Sequence, residues 1–270
     1  MSDRQPAVAG TFYPGNRKEL LEQLDGFLDG ITVKQDCEMA ISPHAGYEYS
    51  GRTAAHAIAS LKGSQRFIIL GASHYPLGPG FSIMSSGSWE TPLGVAMVDR
   101  EMASALMGKC SLLEEDSSAH RREHSIEVQI PFLQRLFPRF AFVPISVRNE
   151  GYGKGFLKDC EALGHAAALA AKAGAGIIAS SDFSHYVSLE EAEMKEKPVL
   201  DAILGLDPAA FFRALKRTDA SICGYGPIAA TLYAARELGL RARLIHSSNS
   251  GEATGDSSEV VSYHAVGFHK

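Results

Sequence analysis

Four short apolar runs restrict the folds open to this chain: "CEMAIS" (37–42), "RFIILGAS" (66–73), "FAFVPISV" (140–147) and the start of "AGIIASSDFSH" (175–185). None shows the clean alternation of apolar and polar residues that marks a strand with one wet face. None approaches the ~20 residues that a membrane helix needs. Runs of this kind read as strands buried on both faces. Helix-like segments lie between them, which implies an α/β layer structure with a mostly parallel central sheet flanked by helices. A single domain over 1–270 is expected.

The intervening segments carry their own signals. In "NRKELLEQLDGFLDGI", Leu20, Leu21, Leu24, Phe27, Leu28 and Ile31 recur at helical spacing. Asn16 and Glu19 resemble a capping box, and Gly30 suits the helix end. Ser50 is expected to cap a helix running through Leu61. Residues 81–99 read as a hairpin or edge pair, and a short helix follows at 100–108. "HSIEVQIPFLQRLF" puts Ile126, Ile130, Leu133 and Phe137 on one helical face, with Pro131 as a kink. Pro144 argues that the third apolar strand is an edge or bulged one. A long Ala-rich helix is predicted over 153–173. Asp207-Pro208 starts another, and Gly226-Pro227 starts one running to about Leu238. "RARLIHSS" and "SEVVSYHAVGFH" close the chain as two β segments that add some antiparallel character.

The residues are 45% hydrophobic, enough for one large core or two small ones. The 26 Lys and Arg residues against 31 Asp and Glu leave a net charge of −5 with no basic stripe. Nucleic acid is therefore not expected as a main partner, nor is a membrane. "MSDRQPAVAG" has no signal-peptide core, so the cytoplasm is the expected location. Cys37, Cys110, Cys160 and Cys223 form no C-x-x-C pair, which argues against a disulfide framework or a zinc knuckle.

Open α/β sheets bind ligands beyond the carboxyl ends of their strands. His44 follows the first run, His74 the second, and Asp182 with His185 the fourth. Three strand ends thus carry imidazoles toward one sheet edge, and imidazole nitrogen suits Zn, Fe, Cu and Ni. A single strand-end histidine is more often a hydrogen-bonded loop residue; three at equivalent positions point to a site. His56, His120, His165, His246 and His269 read as structural, and His264 can face either way. Cys223 stands just before a helix start, where the dipole and free amides favour a thiolate. Cys37, Cys110 and Cys160 better fit buried small hydrophobes. "EHSIE" (123–127) reads equally as an acidic helix start or as a segment bringing Glu123 or His124 to the cleft. Tyr47, Tyr49, Tyr75 and Tyr186 either line a pocket or pack in the core. No P-loop, G-x-G-x-x-G or G-x-S-x-G is present. "ASSDFSH" holds Ser, Asp and His as neighbours, but a triad must meet in geometry.

"PHAGYEYSG", "GASHYPL", "EHSIEVQIPFL", "SSDFSHY" and "ICGYGPI", in this order, closely resemble the Memo family. "AGTFYP" and "DSSEVVSYHAVGF" extend the match over nearly the whole chain. Bacterial and archaeal members are labelled AmmeMemoRadiSam system protein B. The resemblance implies a fold like that of the class III extradiol dioxygenases (LigB-like), which open catechol rings at a non-haem iron. Carried over by motif, it implies His44, His74 and Cys223 as metal ligands, with a thiolate where the dioxygenases have a glutamate. It implies His185 as the acid–base residue, with Asp182 orienting His185 or a metal-bound water. The expected cofactor is iron or copper, with zinc also compatible, because thiolate shifts preference toward softer metals. The implied function is metal-dependent redox, dioxygenase-like chemistry on a small substrate. One rival is a binding module for a peptide or small anion, using the same histidines and Arg121 or Arg122. Another is a zinc hydrolase. The family label further implies association with radical-SAM and AMMECR1-like proteins. The chain itself has no C-x₃-C-x₂-C cluster site.

Overall fold

The structure is a computed structural model that describes residues 3–75 and 77–270. Its strands are β1 (Asp3–Arg4), β2 (Cys37–Ser42), β3 (Arg66–Ala72), β4 (Phe81–Ile83), β5 (Ser88–Thr91), β6 (Gly94–Val98), β7 (Glu114–Glu115), β8 (Ala141–Val147), β9 (Gly176–Ser180), β10 (His185–Val187), β11 (Arg241–Asn249) and β12 (Val260–His269). Its helices are α1 (Arg17–Leu28), α2 (Tyr47–Ala59), α3 (Arg100–Met107), α4 (Ile130–Leu136), α5 (Lys154–Lys172), α6 (Leu189–Leu204), α7 (Pro208–Thr218), α8 (Tyr225–Glu237) and α9 (Gly251–Thr254).

The four apolar runs become β8, β3, β9 and β2, which lie side by side and parallel. Alternate residues face opposite layers. Ile68 and Leu70, Ile177 and Ala179, and Met39 and Ile41 join one core, which α3, α5, α6, α7 and α8 cover. Phe67 and Ile69, Ile178 and Ala40 join the other, beneath α1, α2 and α4. This double burial is why the strands read as continuous apolar runs. Antiparallel strands complete the mixed sheet: the β5–β6 hairpin, β4 against β8, and β11 and β12 beyond β2. The result is a single α/β domain with a mostly parallel sheet. Among the described residues, no helix is long and apolar enough to cross a membrane.

Local signals place most elements. The Asn16 side chain accepts from Glu19 N at 2.9 Å, and Gly30 sits at φ +69° past the end of α1. Asp207 caps α7 through Ala210 N at 2.8 Å, with Pro208 in the first turn. Five expectations need correction. Ser50 is not a cap: α2 starts at Tyr47 after Gly46, and Ser50 Oγ donates back to Ala45 O. "EHSIE" does not begin a helix; one tight turn at Glu127–Gln129 precedes α4, and Pro131 starts that helix instead of kinking it. The helix predicted from Gly226-Pro227 starts at Tyr225. Pro144 lies inside the sheet, paired with Ile69 of β3. On its outer side the neighbour changes, from β6 at Ala141 and Phe142 to β4 at Ile145–Val147. The Pro144 carbonyl accepts from Met84 N on that side. A strand residue's N–H points the same way as its C=O, so the missing donor falls in the gap between two outer strands.

Ile178 is fully buried between Ala40 of β2 and Ile69 of β3. Ile178→Ala is expected to cost ~2–5 kcal/mol of stability, through lost burial and the cavity left behind. Urea unfolding checks this; a loss below about 1 kcal/mol would place the residue outside the core.

Candidate metal centre

Three adjacent strand exits build the site. The chain leaves β2 through Pro43 into His44. It leaves β3 two residues before His74, and β9 two residues before Asp182. Cys223 arrives from the turn that starts α8. A Cβ on Gly224 would collide with the Ser180 carbonyl and the Ser181 side chain, so only glycine lets this turn pack on the end of β9. Asn149, just past β8, fastens the turn from the far side. Its Nδ2 donates to Cys223 O at 2.6 Å, and its Oδ1 accepts from Gly226 N at 3.1 Å. Gly71 serves the other flank, where a Cβ would strike the side chains of Ser125 and Ile126. The 123–126 segment therefore packs directly on β3, bringing His124 beside His74.

Hydrogen bonds fix which nitrogen each imidazole offers. Ser180 Oγ gives its one proton to Ser125 O at 2.6 Å and accepts from Gln129 Nε2 at 3.0 Å. Its 2.9 Å contact with His44 Nδ1 must therefore carry the histidine's proton, leaving Nε2 as the open nitrogen. That nitrogen stands 3.0 Å from Cys223 Sγ. Glu123 Oε1 accepts from His74 Nδ1 at 2.8 Å, and its Oε2 accepts from His74 N at 2.7 Å. The His185 Nδ1–H goes to Ser221 O at 2.7 Å. Three rings thus tie down Nδ1–H and leave Nε2 open, the arrangement by which outer partners orient metal-binding histidines. The Asp182 N–H donates to Cys223 Sγ at 3.2 Å, which suits sulfur bearing negative charge.

Burial and the neighbouring histidines hold the His44 pKa well below its usual range, so it is a neutral donor. Burial alone would lower His74 too, but the Glu123 hydrogen bond and charge outweigh it and raise the pKa. Glu123 is held down at about 2 by His74, against the effect of its own burial. Burial, with His74 beside it, lowers His124 to about 4. Burial raises Asp182 and, with the Asp182 charge, pushes the Cys223 thiol up. A cation would reverse the sign of that environment for the thiol.

The nearest donor atoms of His44, His74 and His124 lie within 4.8 Å of one another, and so do those of His44, Asp182 and Cys223. This imidazole, thiol and carboxylate set fits a transition-metal ion. The histidines open into a cleft of about 580 Å³ rimmed by Phe12, Tyr49, Tyr186 and Tyr263. Among the described residues, no lysine or arginine lines it.

The profile of a Memo-like protein matches residues 4–267. The chain belongs to the Memo-like family. A MEMO1 family protein of Methanosarcina acetivorans is 42% identical, covering 98% of this chain and 99% of its own length. One from Thermoplasma volcanium is 41% identical with 97% of each chain covered, and one from Pyrobaculum aerophilum is 38% identical over the full length of both.

In this Memo-like protein, His44, His74, Asp182 and His185 all reach the cleft, as their strand ends imply. Asp182 does not touch the His185 ring, which Ser221 orients; its Oδ1 instead accepts from His44 N at 2.7 Å and Ala45 N at 3.3 Å. His124 lines the cleft, and Glu123 supports it from beneath. Tyr186 stands at the rim, 75% exposed at φ +57°. Two of the four tyrosines that could line a pocket or pack in the core lie away from the histidine cleft. Tyr47 is buried and donates to Val128 O at 2.7 Å, because helix α2 turns its ring into the core. Tyr75 faces a second cavity, where Arg122 lies over its ring. Arg121 and Arg122 line that second cavity and not the histidine cleft. His264 points inward: its Nε2–H donates to Glu196 Oε2 at 2.8 Å, while Glu196 Oε1 accepts from Ser184 N and steadies the Asp182–His185 segment. Sequence reasoning assigned no role to Asn149, which lies in no motif, nor to Ser180 and Gln129, although these two stand within "SSDFSHY" and "EHSIEVQIPFL".

The Glu123–His74 bond makes stability depend on pH. The Glu123 contribution is present above about 4.5 and lost as pH falls toward about 2. The raised His74 contributes below its ordinary 6.5 and loses that contribution as pH rises past its folded value. The Tm advantage of wild type over Glu123→Gln is therefore expected to peak between these limits; a difference flat from pH about 3 to 9 would refute the pairing. Gly224→Ala is expected to displace Cys223 from His44. Thiol accessibility to an alkylating reagent should rise at Cys223 while the three buried cysteines stay protected.

Proposed function

We propose that the cleft binds one transition-metal ion, iron or copper, and carries out redox chemistry of the dioxygenase-like kind on a small substrate. The observation that carries this reading is the open His44 Nε2 at 3.0 Å from Cys223 Sγ, with His74 presenting a second oriented imidazole. His44, His74 and Cys223 would hold the ion, which when bound would supply electron transfer and Lewis acidity. The protein's own residues do the rest. His185, with Nδ1–H fixed on Ser221 O, offers Nε2 to accept a proton from a substrate group in the cleft. Asp182 holds the His44 backbone in place, and the aromatic rim excludes water around a bound planar group. On the family resemblance alone, the proposal extends to a cytoplasmic role beside radical-SAM and AMMECR1-like proteins.

A second reading, a peptide or small-anion binding module built on the histidines with Arg121 or Arg122, would have to move to the neighbouring cavity of about 580 Å³, because Arg121, Arg122 and Tyr75 line that cavity and not the histidine cleft. The two readings separate on metal dependence. Protein purified without chelator is expected to contain iron or copper, and both His44→Ala and Cys223→Ser are expected to lose it, measured by elemental analysis. Oxygen consumption should occur only in the metal-loaded form. Metal content unchanged in both variants would refute the ligand assignment. A ligand bound equally well by metal-stripped protein would favour the binding module.

A further inference from the structure

We propose that the cleft takes an uncharged substrate group of amide type, with the Tyr263 hydroxyl donating to its oxygen and His185 Nε2 accepting its N–H. The inference rests on the reading of the cleft as a substrate site and names the chemistry which that site selects. Among the described residues four tyrosines are buried: Tyr13, Tyr47, Tyr225 and Tyr263. Three have paired hydroxyls. Tyr13 donates to Glu127 Oε1 at 2.6 Å, Tyr47 donates to Val128 O at 2.7 Å, and Tyr225 accepts from Gly151 N at 2.8 Å. Tyr263 is only 1% exposed and lines the cleft, yet its hydroxyl meets no partner among the described residues. A buried tyrosine hydroxyl normally finds a partner. Here the open side is the cleft, so the missing partner is what enters it. Burial, with the Asp182 charge beside it, raises the Tyr263 pKa, so the hydroxyl keeps a proton to donate.

The rest of the wall sets the charge and the second hydrogen bond. No lysine or arginine among the described residues lines the cleft, whereas the Asp182 carboxylate and the faces of four aromatic rings do. An anion entering it would exchange water for a wall that offers no compensating side-chain cation. The Thr11 hydroxyl is already spent on Val8 O at 2.9 Å, and Ser250 Oγ accepts from Val261 N at 2.9 Å. His185 is different. Its Nδ1–H is held by Ser221 O, which leaves Nε2 as an acceptor facing the cleft. The wall thus presents one donor at Tyr263 and one acceptor at His185. An amide matches both, oxygen to Tyr263 and N–H to His185. A carboxylate has acceptors only, so it would satisfy Tyr263 and set lone pair against lone pair at His185.

The test uses the full chain as purified, with metal content measured in every sample. Benzamide, benzoate and methyl benzoate are titrated by ligand-observed NMR; they share a ring and a carbonyl but differ in charge and in the N–H. Benzamide is expected to bind wild type, and benzoate to leave it undisplaced. Methyl benzoate, which keeps the carbonyl and lacks the N–H, should bind about threefold or more weakly than benzamide. Tyr263→Phe should weaken benzamide about three- to tenfold, the size of one neutral hydrogen bond, with metal content and Tm unchanged because the hydroxyl holds nothing within the protein. Equal benzamide affinity in wild type and Tyr263→Phe would overturn the role of Tyr263, and so would a fall in Tm of several degrees. Methyl benzoate binding as tightly as benzamide would overturn the role of His185. Displacement of benzamide by an equal concentration of benzoate would overturn the uncharged class, and absence of benzamide binding to wild type would overturn the whole proposal. Wild type free of metal would overturn the redox reading above, while the benzamide comparisons would still decide this one.

Discussion

One serine hydroxyl joins the parts on which this site depends. Ser180, the last residue of β9, donates to Ser125 O and accepts from both Gln129 and His44. Those three partners come from the loop before α4, the turn at its start and the exit of β2. With a single proton and two lone pairs, the hydroxyl is fully used, and its use dictates the tautomer of His44. Gln129 repeats the pattern. It donates to Pro43 O at 2.8 Å and accepts from Ser42 Oγ at 2.7 Å, closing the exit of β2 from the other side. Nothing in this set is charged, so the geometry at His44 does not vary with salt in the way a surface ion pair would.

Around that centre, charge is used where it can be fully paired. Glu127 is buried, and its two oxygens accept from Arg4 Nη1 at 2.6 Å, Ala7 N at 2.8 Å, Val8 N at 3.1 Å and Tyr13 OH at 2.6 Å. Arg4 also donates to the backbone carbonyls of His120 and Glu123. This straps the N-terminal segment across the 120–127 loop and sets Phe12 against His124. A buried pair of this kind adds little net stability over an apolar substitute, but losing one partner strands the other. Its effect here is positional: it fixes the segment that carries Glu123 and His124. Glu196 does the same for the Asp182–His185 segment from the opposite side of the cleft.

Much of this was legible in the sequence wherever the signal is local. Apolar runs marked the four central strands because both sheet faces are buried, and caps at Asn16 and Asp207 marked helix starts because each satisfies an amide within three residues. Strand ends marked His44, His74 and Asp182 because the parallel order of β3, β9 and β2 aims their exits together. Other features were readable but overlooked. Ser188 accepts from Glu191 N at the start of α6, the same capping signal seen at Asn16. Long-range partners left no trace: Asn149 meets Cys223 across 74 residues, and Ser180 meets His44 across 136. The choice between pocket and core stayed open for Tyr47 and Tyr75 because residue type does not reveal which way a helix or a loop turns a ring.

The cleft wall is made by residues from both ends of the chain, Phe12 on one side and Tyr263 on the other. During synthesis the donor residues are therefore complete well before the cavity is. His44, His74, His124, Asp182 and Cys223 have all emerged before β12, yet β12 pairs with β2 and β10 and supplies Ser262 O to receive Phe183 N. A nascent chain that stops short of β12 carries every donor on an unfinished sheet, with β2 left as a bare edge open to pairing with another chain. Docking of the last strand both closes the pocket and buries that edge, so one late folding event controls solubility and site assembly together.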